Sequence, residues 1–533
     1  MIYFSGRVFM NYRIIVVLIC CLVLSSCNRV TDAVFPELSE PTTTTVASDI
    51  SVQPQKNNDS TLRLAIPLPN NLDPLLNTDV RVDRLLRLVF EPLFVLDDSF
   101  KAVPNLATGY SVGDGGMSVT VTIPSGLTWE DGLPITASDI EYSIDKLRNA
   151  PNNVIYKSCV ENVSYCAPLS DTECIIRYKS PIGAVGCNLC FPIEARHYYE
   201  GSYNAPMKPM GNGSFRFTGY TQSKEATFVA SSSFKGAPKI QKVIATVIPD
   251  DVSELDALEH GITDVAVVSS SETGKIGAAE SESAVLYNTN KFTYLGFNLR
   301  NETLADISVR SALARLIPTD EIIRNIYAGR AVASITPINP INGLLSDVGV
   351  ESYQYDESMA ASVLQAAGVT NNDNFSLTIL VNNENSGRIK IAEKIKTSFN
   401  KVGLSASVEA LPYNEYLKRL SSGDFDIYIA QTELKENYNL YSLLHSKAIN
   451  GGINYMHFSD AYMDRIIAEC NTASDETQYK EKLNELNKYC SIALPVAGIC
   501  FEREALVTTE HIQGDKKPTL NNIFANINQW EAE

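Results

Sequence analysis

The chain has 533 residues, of which 44% are hydrophobic and 20% charged. That balance excludes a disordered tail, a collagen-like repeat and a polytopic membrane protein, and the length suits several domains with ample core. A net charge of −18 argues against a nucleic-acid surface, which needs clustered Lys and Arg.

In chain order, the first signal is Arg13 followed by an apolar run, 14–24, that ends in Leu24-Ser25-Ser26-Cys27. The run is too short to span a bilayer and suits the core of a signal peptide. Leu-Ser-Ser-Cys resembles a bacterial lipobox, which would make Cys27 a lipidated N-terminus. The alternative is ordinary secretion with a chance cysteine at the cleavage site. Met10-Asn11-Tyr12-Arg13 already makes a compact charged start. Residues 28–57 are rich in Thr, Ser, Pro and Asn with no apolar period, and read as a flexible tether.

Alternation over 62–66 predicts the first strand. Residues 81–94 read as a helix running into an extended segment, with Val82, Leu85, Leu86 and Val89 on one face. Gly113-Asp-Gly-Gly116 is a turn, followed by an alternating strand over 119–123. Thr136-Ala-Ser-Asp139 has the form of a capping box, with Asp in the usual Glu place, and opens a helix burying Ile140, Ile144 and Leu147. Further on, strands over 375–381, 404–411 and 425–430 alternate with helices over 388–402 and 414–420. That rhythm predicts parallel pairing with right-handed crossovers, an α/β region. Two more helices, over 460–470 and 479–490, follow.

Catalytic signatures are missing: the chain has no G-x-S-x-G elbow, H-E-x-x-H pair, Walker A loop or Rossmann glycine fingerprint. The five histidines are scattered, so no metal site and no cofactor is expected. Beyond Cys27, eight cysteines divide into five (159–190) and three (470–500). Both groups are odd, so complete pairing would require a bridge between them. Cys187-Asn-Leu-Cys190 has redox spacing, but in an exported chain it reads better as a structural disulfide.

At Trp129-Glu-Asp-Gly-Leu-Pro-Ile-Thr-Ala-Ser-Asp139, and on to Ser143, the sequence resembles the extracytoplasmic solute-binding lipoproteins of oligopeptide and dipeptide ABC transporters. The family's Trp-x-Asp-Gly-x-Pro-x-Thr-Ala-x-Asp-x-x-x-Ser pattern is matched throughout, in a role expected to be scaffold. Phe90-Glu-Pro-Leu93, Met210-Gly-Asn-Gly-Ser-Phe215, Phe234-Lys-Gly-Ala-Pro-Lys-Ile240, Leu258-Glu-His-Gly-Ile-Thr-Asp264, Tyr294-Leu-Gly-Phe-Asn298 and the segment from Tyr355 to Gly368 are similar to further family segments in the same order.

The resemblance implies an α/β two-lobed clamp with an inserted domain. It places the first lobe at 58–98, 209–283 and 504–533, the inserted domain at 99–208 and the second lobe at 284–503. It implies an oligopeptide ligand, a permease partner and a lipid-anchored place in the periplasm or cell envelope. Ligand backbone pairing falls to Glu91 and Leu93. The family's amine anchor, Trp-x-x-Asp-x-Asn, corresponds to Gln431-Thr-Glu-Leu-Lys-Glu-Asn437, with Lys435 at the Asp, Asn437 at the Asn and no Trp. Glu433 or Glu436 would have to hold the amine. Otherwise Lys435 binds a carboxylate of a modified or cell-wall-derived peptide, or the chain is a cysteine-rich, cross-linked envelope protein without a transport role.

Overall fold

The computed structural model describes residues 60–202, 205–231, 235–269, 284–372 and 375–533. The lipobox with Cys27, the tether, and Phe234 of the aromatic-x-Gly-x-Pro-x-Ile match lie outside the described residues. No helix among the described residues is long and apolar enough to cross a membrane.

The strand Thr61–Ile66 forms where alternation predicts it and runs parallel to Lys242–Val247. Glu225–Ala230 and Phe215–Thr221 complete this four-stranded sheet by antiparallel pairing. The helix that follows, Val80–Leu86, is shorter than expected, although Val82, Leu85, Leu86 and Val89 are all buried. It stops because the next carbonyls have other donors: Leu88 O accepts from Phe215 N at 2.9 Å, and Val89 O from Gly213 N at 2.8 Å and Asn212 N at 3.0 Å. A Cβ on Gly211 would lie 2.0 Å from the Val89 oxygen, so backbone-to-backbone packing dictates glycine in this turn.

A second, fully antiparallel sheet of Gly109–Gly113, Ser118–Thr122, Glu173–Tyr178 and Val163–Pro168 lies beside the helix Ala137–Asn149. The Trp-x-Asp-Gly motif acts here as scaffold. Gly132 adopts φ +86° in the turn, and Asp131 Oδ1 accepts from Leu133 N at 3.0 Å. Asp139 is the hub: one carboxylate oxygen accepts from Thr136 N (2.8 Å) and the Trp129 indole (3.4 Å), the other from Arg196 N (2.9 Å). Ser143 Oγ donates to Asp139 O at 2.7 Å and accepts from Glu194 N at 2.8 Å. One turn on, Lys146 reaches both Asp73 and Glu194 at 2.6 Å. Burial first, and Asp73 second, push the Glu194 carboxyl well above its usual pKa.

The third sheet has seven strands, in the order Val265–Ser269, Val496–Thr508, Ala284–Phe297, Ile427–Glu433, Ser376–Asn382, Ser405–Leu411, with Ala331–Ala333 also on Val496–Thr508. The predicted parallel pairs are present: Ser376–Asn382 runs parallel to both Ser405–Leu411 and Ile427–Glu433. Helices Ser386–Lys401 and Tyr413–Ser422 connect these strands. The two longest strands, Ala284–Phe297 and Val496–Thr508, lack the alternation that a half-buried strand shows, because both of their faces are covered. Leu295, Ile379 and Ile427 enter one core of this sheet, and Tyr294, Leu380 and Tyr428 enter another on the opposite face.

These two long strands pass from one body of packing to the other. Tyr287 and Leu506 belong to the core of the first sheet, whereas Leu295 and Ala497 belong to a core of the third. Their pairing breaks register between Asn288 and Phe292, placing an irregular polar stretch at the crossing. There Glu502 and Glu504, alternate residues on one strand, are buried. Glu504 pairs with Lys291, with Arg84 at 3.4 Å, and with the Tyr287 hydroxyl. Glu502 accepts from Ser269 and from Gln431 Nε2, the latter at 2.9 Å. Burial alone would raise the Glu504 pKa, but Lys291 and Arg84 overcome it and hold the carboxyl below its usual value.

Two outcomes follow from this packing. Asp139→Ala leaves donors from three residues without their buried acceptor and should destabilise by about 3 kcal/mol, against about 1 kcal/mol for loss of a helix cap alone; calorimetry of the first thermal transition separates the two. Glu504→Gln strands Lys291 and Arg84 and should cost about 3 kcal/mol at neutral pH. Because the folded pKa of Glu504 is depressed, its stabilisation is present above the ordinary value of 4.5 and is lost as pH falls below it. The gap in Tm between wild type and Glu504→Gln should therefore close on acidification; a gap unchanged down to about pH 3 would count against the buried ion pair.

Candidate functional site

The strand Ile427–Glu433 pairs antiparallel with Ala284–Phe297, setting Lys291 opposite Glu433 and Thr293 opposite Gln431. The candidate anchor segment 431–437 thus starts at the crossing itself. Gln431 is tied into it, donating to Thr293 Oγ1 at 3.2 Å and to Glu502. Leu434 turns inward, its N–H donating to Asn290 O at 3.0 Å. Tyr438 adopts φ +47° and donates from its buried hydroxyl to Asn290 Oδ1 at 3.2 Å. Between these anchors Glu433 and Lys435 are exposed and Glu436 is half-buried. Among the described residues no ion pair engages any of the three. Asn437 crosses to the second sheet's body: its Nδ2 donates to Asn188 Oδ1 at 3.4 Å, while its carbonyl accepts from the Tyr479 hydroxyl at 2.9 Å.

The electrostatic settings of the two acids differ. Lys291 feels Glu504 most strongly, then Glu502 and Glu433, so three carboxylates cluster on its side. Glu436 sits near Lys435 and Arg87; burial raises its pKa and the two cations oppose that. Its charge also acts on the thiols of Cys159, Cys187 and Cys190. Asn188, which Asn437 contacts, lies between two of these cysteines in the chain.

Glu91 and Leu93 are placed differently. Glu91 is buried, accepts from Asn105 Nδ2 at 2.9 Å and pairs with Lys235 at 2.7 Å, while its N–H donates to Asn212 Oδ1 at 2.8 Å. Leu93 is core, and its carbonyl already accepts from Asn105 N and Ala107 N. Glu91 does line a polar cavity of about 250 Å³, together with Arg87, Ser214, Lys235 and Asn528. The structure thus sets Gln431 and Glu433 at the end of the strand Ile427–Glu433 and Lys435, Glu436 and Asn437 in the loop that follows, and sets Glu91 and Leu93 in a separate buried frame.

Sequence reading missed Arg84, Arg87, Lys291, Glu502 and Glu504. Arg87 is buried, donating to Asp83, to the Tyr156 hydroxyl and to Cys190 O. The available signals were two arginines three apart on an apolar helix, and Glu-Arg-Glu interrupting an apolar run at 502–504. The structural disulfide expected at Cys187-Asn-Leu-Cys190 is not formed: both cysteines are free. The two residues bracket a short 3₁₀ turn, and the Cys190 thiol donates to Gly186 O at 3.4 Å instead. Burial pushes the Cys187 thiol up to about 12, the reverse of a redox-active cysteine.

Comparison with known proteins matches this architecture along most of its length. The oligopeptide-binding protein AppA of Bacillus subtilis is 23% identical over 491 residues, 87% of this chain and 89% of that protein. Its structure with a nonapeptide superposes with a TM-score of 0.63 at 22% identity, covering 89% of this chain and 99% of that one. The substrate-binding protein CtaP of Listeria monocytogenes gives a TM-score of 0.77 at 19% identity, covering 89% and 99%. NikZ of Campylobacter jejuni, solved with Ni(L-His), gives 0.68 at 20% identity with the same coverage. These structures share the α/β two-lobed clamp. With residues 101–450 matching the family profile of the bacterial extracellular solute-binding proteins, family 5 middle region, the chain belongs to that family.

Proposed function

We propose that this protein is the substrate-binding lipoprotein of a peptide ABC importer, capturing oligopeptides between its lobes for delivery to a membrane permease. The observation that carries the reading is the chain-long likeness to AppA, an oligopeptide-binding protein, within a family of extracellular solute-binding proteins. Lobes bounded at 58–98, 209–283 and 504–533, at 99–208, and at 284–503 are consistent with cores that change over where the two long strands cross. Bending at the irregular pairing of 288–292 would open the clamp.

Glu433 is the better candidate for the peptide amine. It is exposed, and the Lys291 ammonium opposite it is already paired with Glu504 and also feels Glu502, which leaves the Glu433 carboxylate free to take a ligand cation. Glu436 has Lys435 and Arg87 beside it and suits an amine less well. Lys435 then faces solvent, available to a ligand carboxylate. None of the eight described cysteines is exposed, which counts against the cross-linked envelope protein.

Binding is tested by calorimetry and thermal shift against di- to nonapeptides with free or acetylated amines. A peptide at 100 times its Kd should add about 2.7 kcal/mol of stability. Glu433→Gln should weaken free-amine peptides about ten- to hundredfold and leave acetylated ones unchanged, as expected for one charge-assisted hydrogen bond. Affinity that ignores acetylation but collapses in Lys435→Asp would transfer the reading to a carboxylate-bearing ligand. The anchor is tested separately: Cys27→Ser should abolish fatty-acid labelling of the exported protein, and labelling that persists would remove Cys27 from that role.

A further inference from the structure

All eight described cysteines carry free thiols, yet two of them meet. Cys166 lies on the strand Val163–Pro168 and Cys174 on its antiparallel neighbour Glu173–Tyr178, where Cys166 is opposite Ile176 and Cys174 opposite Pro168. The two side chains leave the same face of the sheet one diagonal step apart. Their Sγ atoms stand 3.1 Å from each other, both residues being buried. That is about 1 Å more than an S–S bond of about 2.05 Å. Among the described residues no other two sulfurs are in such contact.

We propose that Cys166 and Cys174 form a disulfide in the exported protein. It would close the base of the hairpin loop that carries the start of the helix Ala137–Asn149. That loop is already committed to its neighbours: Leu169 N donates to Glu173 O at 2.7 Å, Ala137 N to Asp171 O and Ile123 N to Thr172 O, both at 2.9 Å. A bridge across its base would hold this support in place while the chain folds outside the cytoplasm, where disulfides persist. The two thiols lose two protons and two electrons as the S–S bond forms. The electrons pass through a mixed disulfide to the disulfide of an envelope thiol–disulfide oxidoreductase, which leaves as a dithiol; oxidised glutathione serves the same role in vitro and leaves as two thiols. Exchange takes place on the unfolded chain, before the hairpin buries both sulfurs. The proposal rests on the envelope location only for its cellular oxidant.

The full chain is taken from the envelope of an exporting host, denatured with iodoacetamide and no reductant, and mapped by mass spectrometry. Trypsin, cutting after Lys157 and Arg177, releases a peptide that holds Cys159, Cys166 and Cys174 together. The expected form has a single alkylated thiol, at Cys159, and lacks two hydrogens. Cleavage before Asp171 should leave its two fragments joined. A peptide alkylated at all three cysteines, or one in which Cys159 is bonded, would overturn the pairing. A parallel sample, reduced and refolded in a glutathione redox buffer, separates the causes: the bridge absent there as well rejects the geometry. The bridge present there but absent in the cell rejects the cellular disulfide and points to the location instead. In the double variant Cys166→Ser, Cys174→Ser, dithiothreitol should no longer lower Tm by the several degrees expected of wild type; an equal response in both would also reject the pairing.

Discussion

Two long antiparallel strands pass from one packed body to the other, one of them carrying two buried acids, and the remaining structure is arranged around that crossing. Glu502 and Glu504 have left water within an apolar strand, so each must be matched by donors from elsewhere. Glu504 takes Arg84 from the first helix, Lys291 from the neighbouring strand and the Tyr287 hydroxyl. Glu502 takes Gln431 from the candidate ligand loop. One strand therefore couples the first sheet, the third sheet and the candidate binding segment through hydrogen bonds that none of them could satisfy alone.

The scaffold and the ligand face follow opposite rules. Around Asp139 and Lys146, polar groups are buried and each is used several times: one carboxylate serves four donors and one ammonium serves two carboxylates. Such groups tolerate little change, since removing one strands the others. On the loop 433–436 the charges are exposed or half-buried and make no ion pairs among the described residues. Substitution there costs little stability. A protein of this family can therefore keep its frame while its candidate ligand segment departs from the usual Trp-x-x-Asp-x-Asn, as it does here by placing Lys435 at the Asp and lacking the Trp.

The thiols divide along similar lines. Cys159, Cys187 and Cys190 all feel the Glu436 charge, and burial together with that carboxylate disfavours their thiolates. They are small, apolar-tolerant packing residues at a face between elements far apart in sequence. Cys166 and Cys174 belong to a single hairpin and meet because the strand pairing brings them together.

Much of the fold was legible in the residues themselves. The strand Thr61–Ile66, the capping-box helix, the parallel β-α alternation after residue 375 and the scaffold role of the Trp-x-Asp-Gly motif are local patterns, and local patterns reflect backbone geometry and the burial of one face. The two crossing strands were not legible, because a strand covered on both faces loses its alternation. The early stop of the helix at Leu86 was not, because its next carbonyls bond to a turn more than a hundred residues later. Sequence by itself determined the helices and strands that carry a local pattern, and which segment departs from the family pattern. Only the tertiary structure decided that Glu91 is locked to Lys235, that Glu433 lies opposite Lys291 while Glu436 lies near Lys435 and Arg87, and that Cys166 meets Cys174. The reason is physical: charge pairing, desolvation and sulfur contact depend on distance in space, and the chain order leaves those distances open until the sheets are formed.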